Sequence, residues 1–210
     1  MSEVLKIRLA ARCEAAGRPE NEDNFQVAED LSVSNSGFTT DKIYPLGDKG
    51  TLLLVCDGMG GMNAGEVASA IAVKVIKDYF SPQRITSDII AHDDSICMYM
   101  KRAINEADCQ IKEEANRDQA KYGMGSTVVM AWLLGSKVYV AWCGDSRCYR
   151  YNCISGLEQL SHDHSYVQDL VDSGQLSPDL AFDHPNKNVI TRSLGAPRGV
   201  VRPDTKVYDL

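Results

Sequence analysis

An apolar run that ends in a carboxylate constrains the fold of this chain more than any other stretch. A strand with one solvent-exposed face alternates polar and apolar side chains. Residues 51–56, TLLLVC, lack this alternation, so they predict a strand covered on both faces. Asp57 follows at once, and a glycine cluster, GMGGMNAG, comes next. An acid at the mouth of a glycine loop would repel a phosphate, which indicates that Asp57 meets a metal cation instead.

The glycine cluster does not match the known nucleotide-binding loops. In GMGGMN the last glycine of the dinucleotide pattern G-x-G-x-x-G is replaced by Asn63, and the G-K-[ST] of a Walker loop is absent from the sequence. A nucleotide-binding protein is therefore disfavoured.

Length and composition indicate one globular domain over residues 1–210, with 44% apolar and 24% charged residues. The net charge of −7 argues against a nucleic-acid partner, because such proteins usually present a basic face. Apolar stretches fall far short of the roughly 20 residues that span a bilayer, and the N-terminus lacks the apolar core of a signal peptide. We therefore expect a cytoplasmic protein without membrane insertion. Seven cysteines without a C-x-x-C pair favour neither a disulfide framework nor a zinc site.

Hydrophobic periodicity predicts two long helices. In the first, apolar residues recur every four positions over residues 67–79, and Asn63 with Glu66 resembles a capping box at its start. The second is carried by apolar residues over 96–115. Shorter helices are predicted at residues 165–174 and from Ser177-Pro178.

The remaining apolar segments predict strands. Two β-branched and aromatic runs joined at Gly135-Ser136 give a hairpin signal. A strand at residues 147–151 is expected to continue the same sheet. Further strands are predicted at residues 4–11 and 25–28, and residues 29–49 are interpreted as a loop or an irregular excursion. These elements together indicate an α+β domain with a largely antiparallel sheet system.

Four acids lie at chain turns beside strand ends, where side chains from different strands can converge. They are Glu22, Asp23, Asp57 and Asp145. Carboxylate oxygens that act without His or Cys ligands are the set that Mg²⁺ and Mn²⁺ prefer. Gly58 has no Cβ and would let a backbone carbonyl approach an ion bound by Asp57. The sequence therefore predicts a Mg²⁺ or Mn²⁺ site.

Six motifs between residues 18 and 196 carry a resemblance to a known family. They are RPENED, LLLVCDGMGG, GSTVV, CGDSR, LSHDHSYVQDLVDSGQLS and DHPNKNVITRSLGA. In this order they resemble the metal-dependent protein serine/threonine phosphatases of the 2C family, in their bacterial form. The resemblance implies an αββα sandwich, in which two central antiparallel sheets are flanked by helices and a two-metal centre lies at one edge.

The resemblance also implies roles for individual residues. Asp57 resembles the carboxylate that bridges the two metal ions, Gly58 the residue whose carbonyl binds one of them, and Glu22 a further ligand of that ion. Asp23 resembles the neighbour that positions a bound water. Asp145 resembles a residue of an additional metal site in bacterial members.

The implied reaction is hydrolysis of phosphoserine or phosphothreonine in proteins by a water activated between two divalent ions about 4 Å apart. Arg18 resembles the phosphate-binding arginine of the family, a role that suits the guanidinium fork. A cysteine phosphatase is excluded, because no cysteine is followed six positions later by arginine. His162, Asp163 and His164 could suggest a metal cluster or a fragment of a catalytic triad, but the family pattern favours a structural role. The implied partners are phosphorylated Ser/Thr proteins and a cognate Ser/Thr kinase.

Two departures from the family pattern bear on activity. Met59 stands where many eukaryotic members have a histidine associated with protonation of the leaving group. A second Asp-Gly and a late Asp-Asn, which supply the other metal's ligands, are absent. We therefore expect a chain that lacks the C-terminal part of the domain, holds about half of the two-metal site and is inactive or weakly active alone. A non-catalytic phosphoprotein-binding module is the open alternative.

Overall fold

The computed structural model describes residues 4–15, 17, 20–34, 37–60, 64–197 and 201–210. Its strands are β1 (Lys6–Arg8), β2 (Asp23–Ala28), β3 (Ile43–Pro45), β4 (Thr51–Met59), β5 (Gly125–Ser126), β6 (Val128–Leu134), β7 (Lys137–Cys143), β8 (Tyr149–Asn152), β9 (Gly156–Gln159) and β10 (Asp204–Asp209). Its helices are α1 (Ala64–Tyr79), α2 (Ser87–Ile90), α3 (Asp93–Arg117), α4 (Tyr166–Asp172) and α5 (Pro178–Ala181), with a 3₁₀ turn at Gln119–Lys121.

One antiparallel sheet forms the centre of the molecule. Its strands lie in the order β10-β7-β6-β4-β2, and the short β5 continues the pairing at the end of β4. The predicted hairpin joins β6 and β7, and its Gly135 has a φ of 60°, a left-handed conformation that favours glycine. The apolar run of the sequence is β4, which lies between β2 and β6.

The two predicted long helices, α1 and α3, cover one face of this sheet. They pack against each other and against the sheet because each carries an apolar stripe at helical spacing. Ala72 and Ile76 of α1 are buried there. Alternate residues of β4, namely Leu52, Leu54 and Cys56, face the same core.

The opposite face of the sheet is covered in part by the two-stranded sheet of β1 and β3. Leu53 packs there in a small cluster with Leu9, Val27 and Tyr44. Val55, on the same face of β4, is 45% exposed, so the predicted cover on both faces of this strand is only partial in the described residues. These residues form a helical layer, the main sheet and part of a second β layer. The predicted α+β class with antiparallel sheets is confirmed.

Three predictions about single elements were wrong in detail. Residues 29–49 are not all loop, because β3 forms there by pairing with β1. The strand predicted to continue the main sheet is β8, which pairs with β9 in a separate two-stranded sheet. The first strand is limited to Lys6–Arg8. The predicted capping residue Asn63 lies outside the described residues.

Candidate metal centre at one edge of the main sheet

Antiparallel pairing brings the four predicted acids to one edge of the main sheet. β4 and β7 end at this edge, while β2, β6 and β10 begin there, because neighbouring strands run in opposite directions. Asp23, the first residue of β2, lies directly opposite Asp57 of β4. Glu22 precedes β2, and Asp145 follows the end of β7. The fold therefore places these carboxylate-bearing residues on a common edge.

Glu22 lies in a tight contact between β4 and the first turn of α1. The Gly58 N–H and the Ser69 hydroxyl both donate to the Glu22 carbonyl oxygen, at 3.1 Å and 2.6 Å. A Cβ at Gly58 would lie 2.1 Å from the Gly65 carbonyl oxygen, and a Cβ at Gly65 would lie 2.6 Å from Glu22 Oε1. Glycine at both positions thus allows the Glu22 carboxylate to reach the N-terminus of α1, where the helix dipole favours negative charge.

The backbone of Asp57 is held by the polypeptide between β5 and β6. The Asp57 N–H donates to Thr127 Oγ1 at 3.1 Å, and the Thr127 N–H donates to the Asp57 carbonyl oxygen at 2.8 Å. Ser126 Oγ donates to the same carbonyl at 3.1 Å. Ser126 and Thr127 are buried, whereas Asp57 is exposed. Asp57 therefore combines a fixed backbone with access to solvent.

The turn that carries Asp145 is linked to the Asp57 turn through Thr127. Thr127 Oγ1 and Ser146 Oγ lie 2.6 Å apart and share a hydrogen bond. Burial raises the pKa of the Asp145 carboxyl above its ordinary value, and the negative charge of Asp163 raises this pKa further. A nearby cation would relieve both effects, so a cation-binding role would favour the charged form of Asp145.

The residues of the HDH segment make contacts within the fold. The Asp163 side chain is 7% exposed, and it accepts hydrogen bonds from Nε and Nη2 of Arg147 at 2.9 Å and 2.5 Å. His164 Nδ1 accepts the Gly144 N–H, so the neutral ring carries its proton on Nε2. His162 pairs with Asp172 on the surface, at 2.7 Å. These contacts fit the structural role favoured from the sequence.

Sequence reasoning gave no role to the hydroxyl residues that hold this edge together. Ser69, Ser126, Thr127 and Ser146 join segments that are far apart in the chain. The motifs GSTVV and CGDSR contain three of them, but the sequence gives these motifs only a family resemblance and no role for the hydroxyl groups.

A cleft of about 660 Å³ opens beside Asp145. Arg147 and Lys187 contribute positive charge to its wall, and Phe182, which is 78% exposed, contributes an apolar side chain. A cleft of this size beside the acidic edge could admit part of a peptide. Arg18, the predicted phosphate ligand, lies outside the described residues.

The donor set fits a hard divalent cation by chemistry, but the described residues supply few ligands. Glu22, Asp23, Asp57 and Asp145 offer carboxylate oxygens, and Gly58, which follows Asp57, offers a backbone carbonyl. Within residues 4–60 and 64–210, apart from the short undescribed gaps, no three His, Cys, Asp or Glu side chains lie close enough together to hold a metal ion. The metal-binding roles of these residues therefore stay predictions.

Comparison with known proteins identifies relatives over most of the chain. Residues 37–171 match the family model for protein phosphatase 2C. The serine/threonine phosphatase stp of Listeria welshimeri is 38% identical over 160 residues, which cover 76% of this chain and 61% of the relative. Protein phosphatase PhpP of Streptococcus pneumoniae is 34% identical over 161 residues, which cover 73% of this chain and 59% of PhpP. The chain thus spans about three fifths of these relatives.

The fold also matches a solved phosphatase. The crystal structure of the serine/threonine phosphatase Stp1 from Staphylococcus aureus superposes with a TM-score of 0.74 at 30% identity. The match covers 100% of this chain and 72% of Stp1. The α+β architecture is therefore shared with an experimentally determined structure.

Proposed function

Because the chain belongs to the protein phosphatase 2C family, we propose that it provides the phosphate-hydrolysing part of a metal-dependent protein phosphatase. The substrates proposed are phosphoserine and phosphothreonine residues of proteins. The arrangement of Asp23 opposite Asp57, with Glu22 joined to Gly58 by a backbone hydrogen bond, is the observation that supports this best. It brings acidic residues from two segments to one exposed edge, where they would hold divalent cations. Hydrolysis by a water that these cations activate would need no nucleophilic cysteine or serine.

The proposed cofactors are Mn²⁺ or Mg²⁺, because the candidate ligands are all oxygens. Asp57, Glu22 and the Gly58 carbonyl would hold the cations, with Asp145 at an additional site. Bound divalent ions would lower the pKa of a water and neutralise phosphoryl oxygens. Asp23 would orient a water by accepting its hydrogen bond.

Substrate binding is proposed to use cationic groups. Arg18 would hold the phosphoryl group through its guanidinium fork. The cleft beside Asp145 would take the flanking peptide, with Lys187 and Arg147 facing acidic side chains and Phe182 facing apolar ones. A cognate Ser/Thr kinase is the proposed partner that supplies these phosphoproteins.

A cytoplasmic location remains part of this proposal. In the described part of the chain, every helix is too short or too polar to cross a bilayer.

The small number of ligands in the described residues leads to a proposal about affinity. A hard divalent ion held by one or two carboxylates keeps most of its waters and is bound loosely. We therefore expect the 210-residue chain by itself to bind Mn²⁺ weakly and to hydrolyse phosphopeptides slowly or not at all. The same observation favours a second candidate function, a module that binds phosphoproteins without hydrolysing them.

Phosphate release from phosphoserine and phosphothreonine peptides tests the proposal. The assay compares the wild type, Asp57→Asn and Asp88→Asn, each made with any coding sequence that follows Leu210 in its gene. Asp88 is an exposed acid of α2, remote from the edge, so Asp88→Asn is a control for the same chemical change. We expect release that requires Mn²⁺ or Mg²⁺, is lost in Asp57→Asn and is kept in Asp88→Asn.

Two outcomes would contradict the phosphatase proposal. The first is release that survives exhaustive chelation. The second is metal-dependent binding of phosphopeptides, measured by fluorescence anisotropy, with no release under any metal condition, which would identify the binding module instead.

A further inference from the structure

Residues 189–195, here named the strap, run along the edge that carries the candidate metal centre. Near the start of the strap, the Thr191 N–H donates to the His164 carbonyl oxygen at 2.8 Å. Near its end, Leu194 and Ser126 exchange two backbone hydrogen bonds, of 3.2 Å and 2.9 Å. The strap therefore connects two parts of the site edge that are distant in sequence. One is the segment after β9, which contains His164, and the other is β5.

A buried carboxylate of α3 fixes the end of the strap. The Asp108 side chain is 7% exposed; its Oδ1 accepts the Gly195 N–H at 2.8 Å, and its Oδ2 accepts Lys112 Nζ at 2.8 Å. Gly195 has a φ of 78°, and a Cβ there would lie 2.5 Å from the Met124 carbonyl oxygen. The turn at Gly195 thus has little room to shift, and Asp108 satisfies its buried N–H.

The strap is connected to each acid-bearing turn through one bridging residue. Ser126, which pairs with its end, donates its hydroxyl to the Asp57 carbonyl oxygen. His164, which pairs with its start, accepts the N–H of Gly144, the residue before Asp145. The strap therefore adds a second connection between the Asp57 and Asp145 turns, beside their direct link through Thr127 and Ser146.

We propose that Asp108 is a positioning residue for the candidate metal centre. By holding Gly195 it fixes the strap, and through Ser126 the strap fixes the Asp57 backbone. The proposal rests on the proposed function in one respect, that the Asp57 carboxylate holds a cation. Burying a carboxylate in a helical core is unfavourable unless it is fully hydrogen-bonded, which is the case here through Gly195 and Lys112. An apolar side chain would suit the core but would leave the Gly195 N–H unpaired.

Three substitutions separate positioning from general stability. Asp108→Ala removes the acceptor for Gly195, Asp108→Asn keeps an acceptor but removes the charge, and Lys112→Met removes the ion pair while leaving the contact between Asp108 and Gly195. Ser126→Ala serves as a second test of the pathway, because it removes the hydroxyl that bonds the Asp57 and Thr127 carbonyl oxygens and keeps the backbone pairing of Ser126 with Leu194. The melting temperature of each variant is measured so that effects are compared at known stability.

The first readout is the exchange rate of the Thr127 amide hydrogen, measured by NMR in the absence of metal. This N–H donates to the Asp57 carbonyl oxygen. We expect exchange about tenfold faster in Asp108→Ala than in Lys112→Met. Asp108→Asn should restore protection to near the wild-type level. The second readout is Mn²⁺ titration by calorimetry, in which Asp108→Ala and Ser126→Ala should each weaken binding about tenfold, while Lys112→Met stays within about twofold.

Equal exchange at Thr127 in Asp108→Ala and Lys112→Met would overturn the positioning role. If Asp108→Ala does not fold, Ser126→Ala decides the question. Wild-type Mn²⁺ affinity together with a wild-type rate of Thr127 exchange in Ser126→Ala would then overturn the positioning role. A wild-type protein that binds no Mn²⁺ when made with any coding sequence that follows Leu210 would refute the proposed function, and the exchange comparison would still decide whether Asp108 positions the Asp57 turn.

Discussion

Replacing Gly58 by alanine is the most direct test of how the site edge is packed. A Cβ at this position would lie 2.1 Å from the Gly65 carbonyl oxygen and 2.7 Å from the Glu22 carbonyl oxygen. Real Cβ contacts are essentially never below 3.0 Å, so β4 and the first turn of α1 must separate by roughly 0.9 Å. Both obstacles are backbone atoms, and no change of side-chain rotamer can relieve the clash.

The expected cost of Gly58→Ala is about 3 kcal/mol, at the upper end for overpacking of a buried site. For a chain of this size, such a loss lowers the melting temperature by about 6–12 °C. Thermal unfolding followed by circular dichroism, in a chelating buffer, measures the packing alone. The reasoning also predicts an unchanged urea m-value, because the surface exposed on unfolding is nearly the same.

Gly37→Ala is the matched control, because a Cβ at Gly37 would have no heavy atom within 4 Å. Its melting temperature should stay within about 2 °C of the wild type. Equal melting temperatures of the Gly58→Ala and Gly37→Ala proteins would refute the steric argument, since β4 and α1 would then have room to separate at no cost.

Three further predictions concern charged groups. Asp57→Asn should weaken Mn²⁺ binding by more than about tenfold in calorimetry while leaving the melting temperature nearly unchanged, because the residue is exposed. Arg147→Met should lower the free energy of unfolding in urea by about 2 kcal/mol, since it leaves the buried Asp163 carboxylate without its guanidinium partner; the double substitution with Asp163→Asn should recover part of this loss. Burial lowers the pKa of His164 below its ordinary value of 6.5, so the unfolded chain binds the proton more tightly. Stability should therefore fall as the pH drops below 6.5 toward the folded pKa, and His164→Gln should reduce this fall in urea titrations at pH 7.5 and 5.5.

The parts of the fold that sequence predicts well are those with long periodic patterns. The stripe of α1 and the apolar run of β4 each repeat over several turns or residues, so the buried face is visible without tertiary information. β3 has only three residues and exists because β1 pairs with it. A strand that short carries no periodic signal, and its partner is remote in sequence.

The misplacement of β8 has a different physical origin. Its alternating tyrosines are typical of a sheet strand, and the strand before it, β7, belongs to the main sheet. Gly144, between them, has a φ of 118° and packs against Thr127, where a Cβ would lie 2.6 Å from Thr127 Cγ2. The chain therefore leaves the main sheet at this glycine. Sequence shows a turn there, but the direction of the turn depends on a contact with Thr127, which lies between β5 and β6.

Within the candidate site, sequence identifies the acids but not what holds them. Asp23 and Asp57 could be expected near one edge because each lies at a strand end, and the register places them opposite each other. The hydrogen bonds from Ser69 to Glu22 and between Asp57 and Thr127 join residues 47 and 70 positions apart. Hydroxyl residues at such separations have no local pattern that distinguishes them from surface serines and threonines.

The contacts around Gly58 indicate that the edge is organised by its backbone before any cation is considered. The Gly58 N–H bonds the Glu22 carbonyl, and the missing Cβ lets Gly65 of α1 approach the same point. These contacts fix the chain on both sides of the candidate ligands without using a carboxylate oxygen of Asp57. Asp57→Asn keeps the size of this exposed side chain and should therefore disturb the fold less than enlarging a glycine, which should disturb the fold and the site together. The sequence assigned Gly58 to a metal-binding carbonyl, and the structure adds a steric requirement that would keep glycine there even in the absence of metal.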